Sequence, residues 1–273
     1  MAGLFYPAAY ALFVWWFSTG VVLMLDNLPR RTFRWSMIAG TVLFALSLHR
    51  LYASGTDASE AGAYAAFMYA IIAWAWQEMS FFMGYVTGPR RTACPPDCTL
   101  GERFRYGVAA CLWHELAIIA TAIVIVASTW HAPNQVGTQT FLLLWLMRTS
   151  AKLNVFLGVL NLGEEFLPAH LRYLLSFMAR RPMNLLMPVS LTAGTIGAAL
   201  LWQSAALDRN AGTTMLATML ALAVIEHWFL IIPLPFARLW AWSLRFKPAP
   251  GQPAVTTNSL RGTTSHGLPA LLP

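Results

Sequence analysis

The sequence predicts an all-α, polytopic membrane helix bundle of seven transmembrane helices, with the N-terminus outside and the C-terminus in the cytoplasm. Three observations predict this fold class. Hydrophobic residues make up 58% of the chain and charged residues only 11%, whereas soluble domains carry about 25% charged residues. The apolar residues are gathered in runs long enough to span a bilayer. Most arginines and lysines lie in alternate connections between those runs.

Seven runs have the length that a spanning helix needs, which is about 20 residues at a rise of about 1.5 Å each. Turn-forming and polar residues separate them. No basic segment precedes the first run, so we interpret it as a span and not as a signal peptide. The predicted spans are residues 3–25, 35–53, 61–87, 105–130, 138–162, 184–206 and 213–240.

The basic residues predict the orientation, because cytoplasmic connections carry an excess of Lys and Arg. The first, third and fifth connections and the stretch after the last span contain Arg30, Arg31, Arg34, Arg90, Arg91, Arg103, Arg105, Arg172, Arg180, Arg181, Arg238, Arg245, Lys247 and Arg261. The opposite side carries Arg50 and Arg209. We therefore place the arginine-rich side in the cytoplasm. The net charge of +7 is explained by topology, and nucleic acid is not an expected partner.

The chain is predicted to divide into a transmembrane domain, residues 1–247, and a disordered cytoplasmic tail, residues 248–273. Pro, Gly, Ser and Thr dominate the tail, and such a composition buries little apolar surface. Residues 168–181 are predicted to form an amphipathic helix on the cytoplasmic leaflet, the alternative being an extension of a neighbouring span. Its apolar residues recur at helical spacing, at Leu171, Leu174, Leu175 and Met178.

Cys94 and Cys98 share the third connection, and Cys111 lies in an apolar run. Two thiols do not supply the four ligands of a structural zinc site. We interpret the first two as an ordinary loop pair, with a redox or metal role as the alternative.

Several ionisable residues lie inside the predicted spans, where charge is costly and therefore indicates function. Counting about 1.5 Å per residue from the cytoplasmic ends places three glutamates and one lysine about 15–18 Å deep, near the middle of a hydrocarbon core about 30 Å thick. The predicted cluster comprises Glu78, His114, Glu115, Arg148, Lys152, Asn154, Glu226 and His227. It is either a site for a pigment or substrate or an ion-pair network that locks the helices together.

Four members of this cluster are candidate metal ligands: His114, Glu115, Glu226 and His227. Ile118 stands where the second histidine of a His-Glu-x-x-His zinc motif belongs. Adjacent helix residues also diverge by about 100°, so each His-Glu pair converges poorly. A metal-dependent membrane enzyme acting on a tetrapyrrole, carotenoid or lipid is therefore an alternative, without assigned catalytic residues. A proton-coupled transporter is a second alternative, although no inverted repeat supports it.

Tryptophans lie unusually deep within the predicted spans, although this residue normally collects at the membrane interfaces. The deep ones are Trp74, Trp76, Trp113, Trp145 and Trp228. Packing between helices is the favoured explanation. The sharper hypothesis is that they stack on a flat conjugated ligand, with His114 binding a chlorin magnesium.

Three blocks of sequence carry a family resemblance: residues 15–20 (WWFSTG); residues 76–81 (WQEMSF) with 87–91 (TGPRR); and residues 140–175, which include LWLMR, SAKLN and PAHL. Together they resemble the PuhE family of photosynthetic complex assembly proteins of purple bacteria. The likeness covers most of residues 5–245.

The resemblance implies a multi-pass protein of the bacterial cytoplasmic (inner or chromatophore) membrane that assists assembly of the reaction centre or light-harvesting complex, or modulates bacteriochlorophyll supply. Expected partners are membrane lipids and reaction-centre, antenna or pigment-biosynthesis proteins. A transiently bound bacteriochlorophyll or carotenoid is the expected cofactor. The resemblance brings no catalytic residues with it.

Overall fold

A computed structural model describes residues 2–246, and these form a bundle dominated by seven long helices. The helices are α1 (Ala2–Asn27), α2 (Arg30–Ser54), α3 (Glu60–Phe82), α4 (Leu100–Thr129), α5 (Val136–Leu157), α6 (Leu186–Asp208) and α7 (Ala211–Ile231). Shorter elements are 3₁₀ helices at Glu164–Phe166, Ala169–Phe177 and Phe236–Trp240, and α8 (Ala241–Leu244). No strand occurs among residues 2–246, and the predicted all-α class is confirmed. The predicted tail, residues 248–273, lies outside the described residues.

Five of the helices within this described part are long and apolar enough to cross a membrane: α1, α2, α4, α6 and α7. The other two long helices, α3 and α5, have 23 and 22 residues and carry Glu78, Arg148 and Lys152. Both lie inside the bundle, where α3 packs against α1, α2, α5 and α7. A helix surrounded by other helices presents less surface to lipid, so it tolerates more polar residues.

The outer surface of the bundle is apolar. On α2, Leu43 and Leu46 are exposed, and on α4, Ile123 and Val124 are exposed. A soluble protein rarely exposes apolar area on this scale. The surface therefore supports a membrane location, as the hydropathy of the five helices does.

Polar caps begin several helices where the sequence changes from polar to apolar. Ser59 accepts a hydrogen bond from the Gly62 N–H at the start of α3, and Asn210 caps α7 in the same way. Thr99 and Glu102 form a reciprocal capping box at the start of α4. Each cap satisfies backbone N–H groups that have no partner within the helix.

The predicted span 61–87 is wrong at its C-terminal end. Helix α3 ends at Phe82, and Gly84 takes a positive φ of 83° that turns the chain. The next residues run beside α4, where the carbonyl of Thr87 accepts a hydrogen bond of 3.0 Å from the His114 N–H. At Gly88 an added Cβ would lie 2.1 Å from a carbonyl oxygen of α4. Only a residue without a side chain fits this close approach.

Two further predicted spans, 138–162 and 213–240, also extend too far. Helix α5 ends at Leu157 and is followed by Gly158 with a φ of 129°. Helix α7 ends before Pro233 and Pro235, since proline lacks the N–H that would continue the helix.

The segment predicted as an amphipathic helix over 168–181 is a shorter 3₁₀ helix, Ala169–Phe177. Leu171, Leu174 and Phe177 recur every three residues, which is the period that aligns side chains on a 3₁₀ helix. They are buried in a cluster with Phe81 of α3 and Ala110 of α4. The apolar face is thus covered by protein, whereas the prediction placed it on lipid.

Cys94 and Cys98 form a disulfide in the third connection, which their interpretation as an ordinary loop pair did not predict. The Cys94 N–H donates to the Ser176 hydroxyl at 2.8 Å. The disulfide loop is therefore tied to the 3₁₀ helix that precedes α6.

Candidate functional site

A cavity of about 670 Å³ lies between α1, α3, α4, α5, α7 and the connection before α6. Its volume falls within the range of about 300–1,000 Å³ that is usual for ligand pockets. Most of its wall is apolar, and aromatic residues from every side contribute. Five charged residues of the predicted cluster interrupt this wall: Glu78, Glu115, Arg148, Lys152 and Glu226.

Glu78 of α3 and Arg148 of α5 form an ion pair across the cavity wall, with Nη2 and Oε2 2.9 Å apart. The side chain of Glu78 is 14% exposed and that of Arg148 is 34% exposed. Glu78 Oε1 and Arg148 Nε have no hydrogen-bond partner. The pair therefore joins α3 to α5 and still leaves an acceptor and a donor unused.

Lys152 and Glu115 form a second ion pair, which joins α5 to α4. Lys152 Nζ lies 2.5 Å from Glu115 Oε1, and both side chains are partly exposed. Lys152 stands one helical turn after Arg148 on α5, so the two cations line the same side of the cavity.

Glu226 of α7 contacts neither cation at hydrogen-bond distance. It accepts a hydrogen bond of 3.0 Å from the indole N–H of Trp15 on α1, and Trp15 packs edge-on against Trp240 with ring centroids 5.5 Å apart. Both tryptophans line the cavity, and the sequence analysis did not single them out as site residues. On α1, Trp15, Ser18, Thr19 and Val22 recur at helical spacing and line the cavity, and the hydroxyls of Ser18 and Thr19 within an apolar run could have indicated this wall.

Three predicted cluster members, His114, Asn154 and His227, do not line the cavity. His227 Nδ1 lies 2.8 Å from the Ala223 carbonyl oxygen, and its Nε2 lies 2.9 Å from the Ser150 hydroxyl. Asn154 donates to the Ser190 hydroxyl at 3.0 Å. These bonds tie α5, α6 and α7 together, which is the usual use of small polar residues between membrane helices.

His114 is fully buried, and neither ring nitrogen has a hydrogen-bond partner. Its ring packs against Phe81 with centroids 4.6 Å apart, and Phe81 lines the cavity. The imidazole is thus separated from the cavity, so the hypothesis that it binds a chlorin magnesium there has no geometric support. The described part of the chain also gathers no three His, Cys, Asp or Glu side chains that could hold a metal ion.

Asp26 is a buried acid that the sequence analysis missed. It lies one turn beyond Val22 and Leu23 on α1, both of which line the cavity, and neither of its carboxylate oxygens has a hydrogen-bond partner. The predicted span ended at residue 25, so this acid was counted as part of a connection.

The deep tryptophans have separate environments. Trp74 lines the cavity and meets Phe141 edge-on at 5.5 Å, whereas Trp76 donates to the Thr41 hydroxyl at 3.0 Å. Trp145 packs on a hydrophobic cluster. Trp113 and Trp228 are exposed on the outer surface. A stacking role in the cavity therefore falls to Trp74 among these five, together with Trp15 and Trp240.

Five long apolar helices and an apolar outer surface around a cavity with paired charges indicate a helical membrane protein with an internal candidate binding site. The chain belongs to the family described as "Protein of unknown function (DUF3623)", which matches residues 1–250. It is 38% identical over 258 residues to the "Uncharacterized 30.4 kDa protein in puhA 5'region" of Rhodobacter capsulatus. The alignment covers 91% of this chain and 93% of that relative. No solved structure matches the chain.

Proposed function

We propose that this protein assists assembly of a bacterial photosynthetic reaction centre or light-harvesting complex by transiently holding bacteriochlorophyll or a carotenoid in its cavity. The observation that carries the proposal is the large, aromatic-lined cavity at the level of the charged layer. The photosynthetic context comes from the resemblance to PuhE proteins and from the relative named for the region 5′ of puhA.

The proposal includes seven spans, with α3 and α5 crossing the membrane inside a ring of more apolar helices. The ion pairs Glu78–Arg148 and Glu115–Lys152 support this placement, because paired charges facing a cavity avoid contact with lipid. The arginine-rich connections favour a cytoplasmic C-terminus. Reporter fusions after each helix test the topology, and a periplasmic signal after α7 would overturn the proposed orientation.

A pigment suits the cavity because chlorins and carotenoids are apolar, conjugated molecules with few polar groups. Trp15, Trp74 and Phe81 present aromatic surface in the wall, which favours contact with another π system. The partly exposed guanidinium of Arg148 carries five N–H donors, more than its ion pair with Glu78 uses, and can donate to a carbonyl oxygen. In a pocket of this kind, a few polar groups in an otherwise apolar wall fix the orientation of the ligand.

The test is pigment binding by the full chain in nanodiscs, together with the absorption spectrum of protein purified from its native membrane. Ala151 lines the cavity, so Ala151→Phe should fill part of it and weaken binding of bacteriochlorophyll a or a carotenoid. Leu146 lies on the same helix and is exposed on the outer surface, so Leu146→Phe is the matched control. Absence of pigment binding by the wild-type chain, or undiminished binding by Ala151→Phe, would refute the proposal.

One observation favours a proton-coupled transporter as a second candidate. Asp26 is a buried carboxyl group without a hydrogen-bond partner, one helical turn beyond the cavity-lining Val22 and Leu23, and Glu226 lines the cavity. Acids in such positions can carry protons through a membrane. Proton flux into liposomes that is abolished by Asp26→Asn would favour this candidate, and absence of flux would dismiss it.

A further inference from the structure

We infer that the ligand reaches the cavity sideways from the bilayer, through a gap between α4 and α5, and that it is a neutral amphiphile with carbonyl or hydroxyl oxygens. This inference rests on the proposed function, because it assumes that the cavity binds a ligand. It adds the route by which the ligand enters and the charge that the ligand carries, and neither follows from the presence of a cavity.

The cavity wall reaches the outer surface between α4 and α5. Phe104 and Val108 of α4 and Leu153 of α5 all line the cavity, and all three are exposed. Other large side chains of the wall, such as Phe81 and Leu174, are buried. Among the apolar residues of the wall, the exposed ones thus lie together on α4 and α5, and we take them to mark the place where the cavity opens to lipid.

The two helices pack tightly at one end. At that end Ile118 and Ile125 of α4 share a buried cluster with Phe141 of α5, and the hydroxyls of Thr129 and Thr138 lie 2.7 Å apart. At the other end residues of both helices line the cavity. An opening movement there would leave the packed end intact, as a hinge does.

Contacts across the gap are made by side chains, in one case to a backbone carbonyl, and they can separate without exposing a core. Phe104 and Phe156 meet edge-on with ring centroids 5.4 Å apart, and Arg103 donates to the Phe156 carbonyl at 3.3 Å. Deeper in the gap lies the ion pair of Lys152 and Glu115. The Phe104–Phe156 pair therefore forms a gate at the rim of the cavity, whose rings can separate while the packed end of the two helices stays in contact.

The charges of the wall select against an anionic ligand. Three glutamates, Glu78, Glu115 and Glu226, face the cavity with two cations, Arg148 and Lys152. A ligand carboxylate would add a further negative charge to this set and be repelled. The side chains of Arg148 and Lys152 are 34% and 27% exposed. A guanidinium has five N–H donors and an ammonium has three, so both cations can donate to a neutral oxygen as well as to their glutamate partners.

The experiment locks the gap after the protein has folded. Phe104→Cys and Phe156→Cys are combined in the full chain, with Cys94→Ser, Cys98→Ser and Cys111→Ala as background. A short bismaleimide then bridges the two new thiols in nanodiscs. The unbridged sample of the same preparation shows that the substitutions themselves leave the fold intact.

A matched bridge is placed away from the gap. Phe44 of α2 and Trp76 of α3 stack with centroids 4.6 Å apart, and neither lines the cavity. Phe44→Cys combined with Trp76→Cys in the same background receives the same reagent. This control shows what a covalent bridge does when it does not cross the gap.

The probes are pheophorbide a methyl ester, which is neutral, and pheophorbide a, which carries a free carboxylate. Uptake is followed by quenching of tryptophan fluorescence. Bridging Phe104→Cys to Phe156→Cys should abolish uptake of the ester, whereas the Phe44–Trp76 bridge should leave its rate unchanged. The free acid should bind more weakly than the ester to every unbridged sample.

Each contrary result has a distinct meaning. Uptake that proceeds equally with the gap bridged overturns the lateral route and leaves the proposed function standing. Equal binding of the free acid and the ester overturns the inference that the ligand is neutral. Failure of the unbridged wild-type chain to take up the ester or any pigment refutes the proposed function, and this inference with it.

Discussion

The ion pair between Glu78 and Arg148 should hold α3 to α5, and a double-mutant cycle of Glu78→Gln and Arg148→Met measures its strength. At 2.9 Å and an effective dielectric constant of about 20, the gross Coulomb attraction is about 6 kcal/mol. Loss of hydration offsets most of this attraction. Because Arg148 is 34% exposed in the cavity, we expect a coupling free energy of about 2 kcal/mol.

The assay is reversible unfolding of the purified full chain in mixed micelles, with each variant measured at the same detergent composition. Glu164 and Arg180 form an ion pair outside the long helices, with side chains 46% and 64% exposed. The same cycle on that pair is the control and should give less than about 1 kcal/mol. If the coupling free energy of Glu78 and Arg148 is no larger than that of the control pair, water screens the charges in the cavity. The expectation of a stronger pair inside the bundle would then be wrong.

Three further predictions concern the connections. Gly88→Ala should destabilise the protein by more than about 2 kcal/mol, because the new Cβ would meet the backbone of α4. Gly101→Ala is the control, since a Cβ at Gly101 has no other atom within 4 Å. Equal melting temperatures of the two variants would contradict the close approach at Gly88. Burial, aided by two nearby arginines, lowers the pKa of His170 below its ordinary 6.5. Below pH 6.5 the unfolded chain therefore binds a proton at His170 more readily than the folded chain does. The melting temperature should fall as the pH is lowered below 6.5. His170→Gln should make the melting temperature less dependent on pH in that range. The proposed orientation places Cys94 and Cys98 in the reducing cytoplasm. Alkylation followed by mass spectrometry should therefore find both thiols reduced in cells and joined in a disulfide after air oxidation. A disulfide already present in cells would argue for the opposite orientation.

Helix positions follow closely from hydropathy, because a segment that crosses lipid must satisfy its own backbone hydrogen bonds as a helix. The predicted start of α6 at residue 184 differs from the observed start at Leu186 by two residues. Errors are larger at both kinds of helix end: α2 and α4 begin at Arg30 and Leu100, before the predicted starts at 35 and 105, because their first turns are polar, and other helices end before the apolar run does. Gly84 and Pro233 end α3 and α7 although apolar residues follow, and hydropathy alone does not register these backbone constraints.

The make-up of the site could be predicted only in part. Counting residues along each helix places Glu78, Glu115, Lys152 and Glu226 at one depth, because the rise per residue is constant. Depth contains no information about partners. That Glu78 pairs with Arg148 depends on α3 lying beside α5, and such contacts between distant segments exist only once the bundle has packed.

The two His-Glu pairs show most clearly where local sequence ceases to be informative. Glu115 and Glu226 line the cavity, whereas their neighbours His114 and His227 do not. Consecutive residues on a helix point about 100° apart, so one member of each pair faces the cavity and the other faces a neighbouring helix. The sequence alone places both members at the same depth. The rotation of α4 and α7 about their axes, which tertiary packing sets, determines that the glutamates and not the histidines form the site.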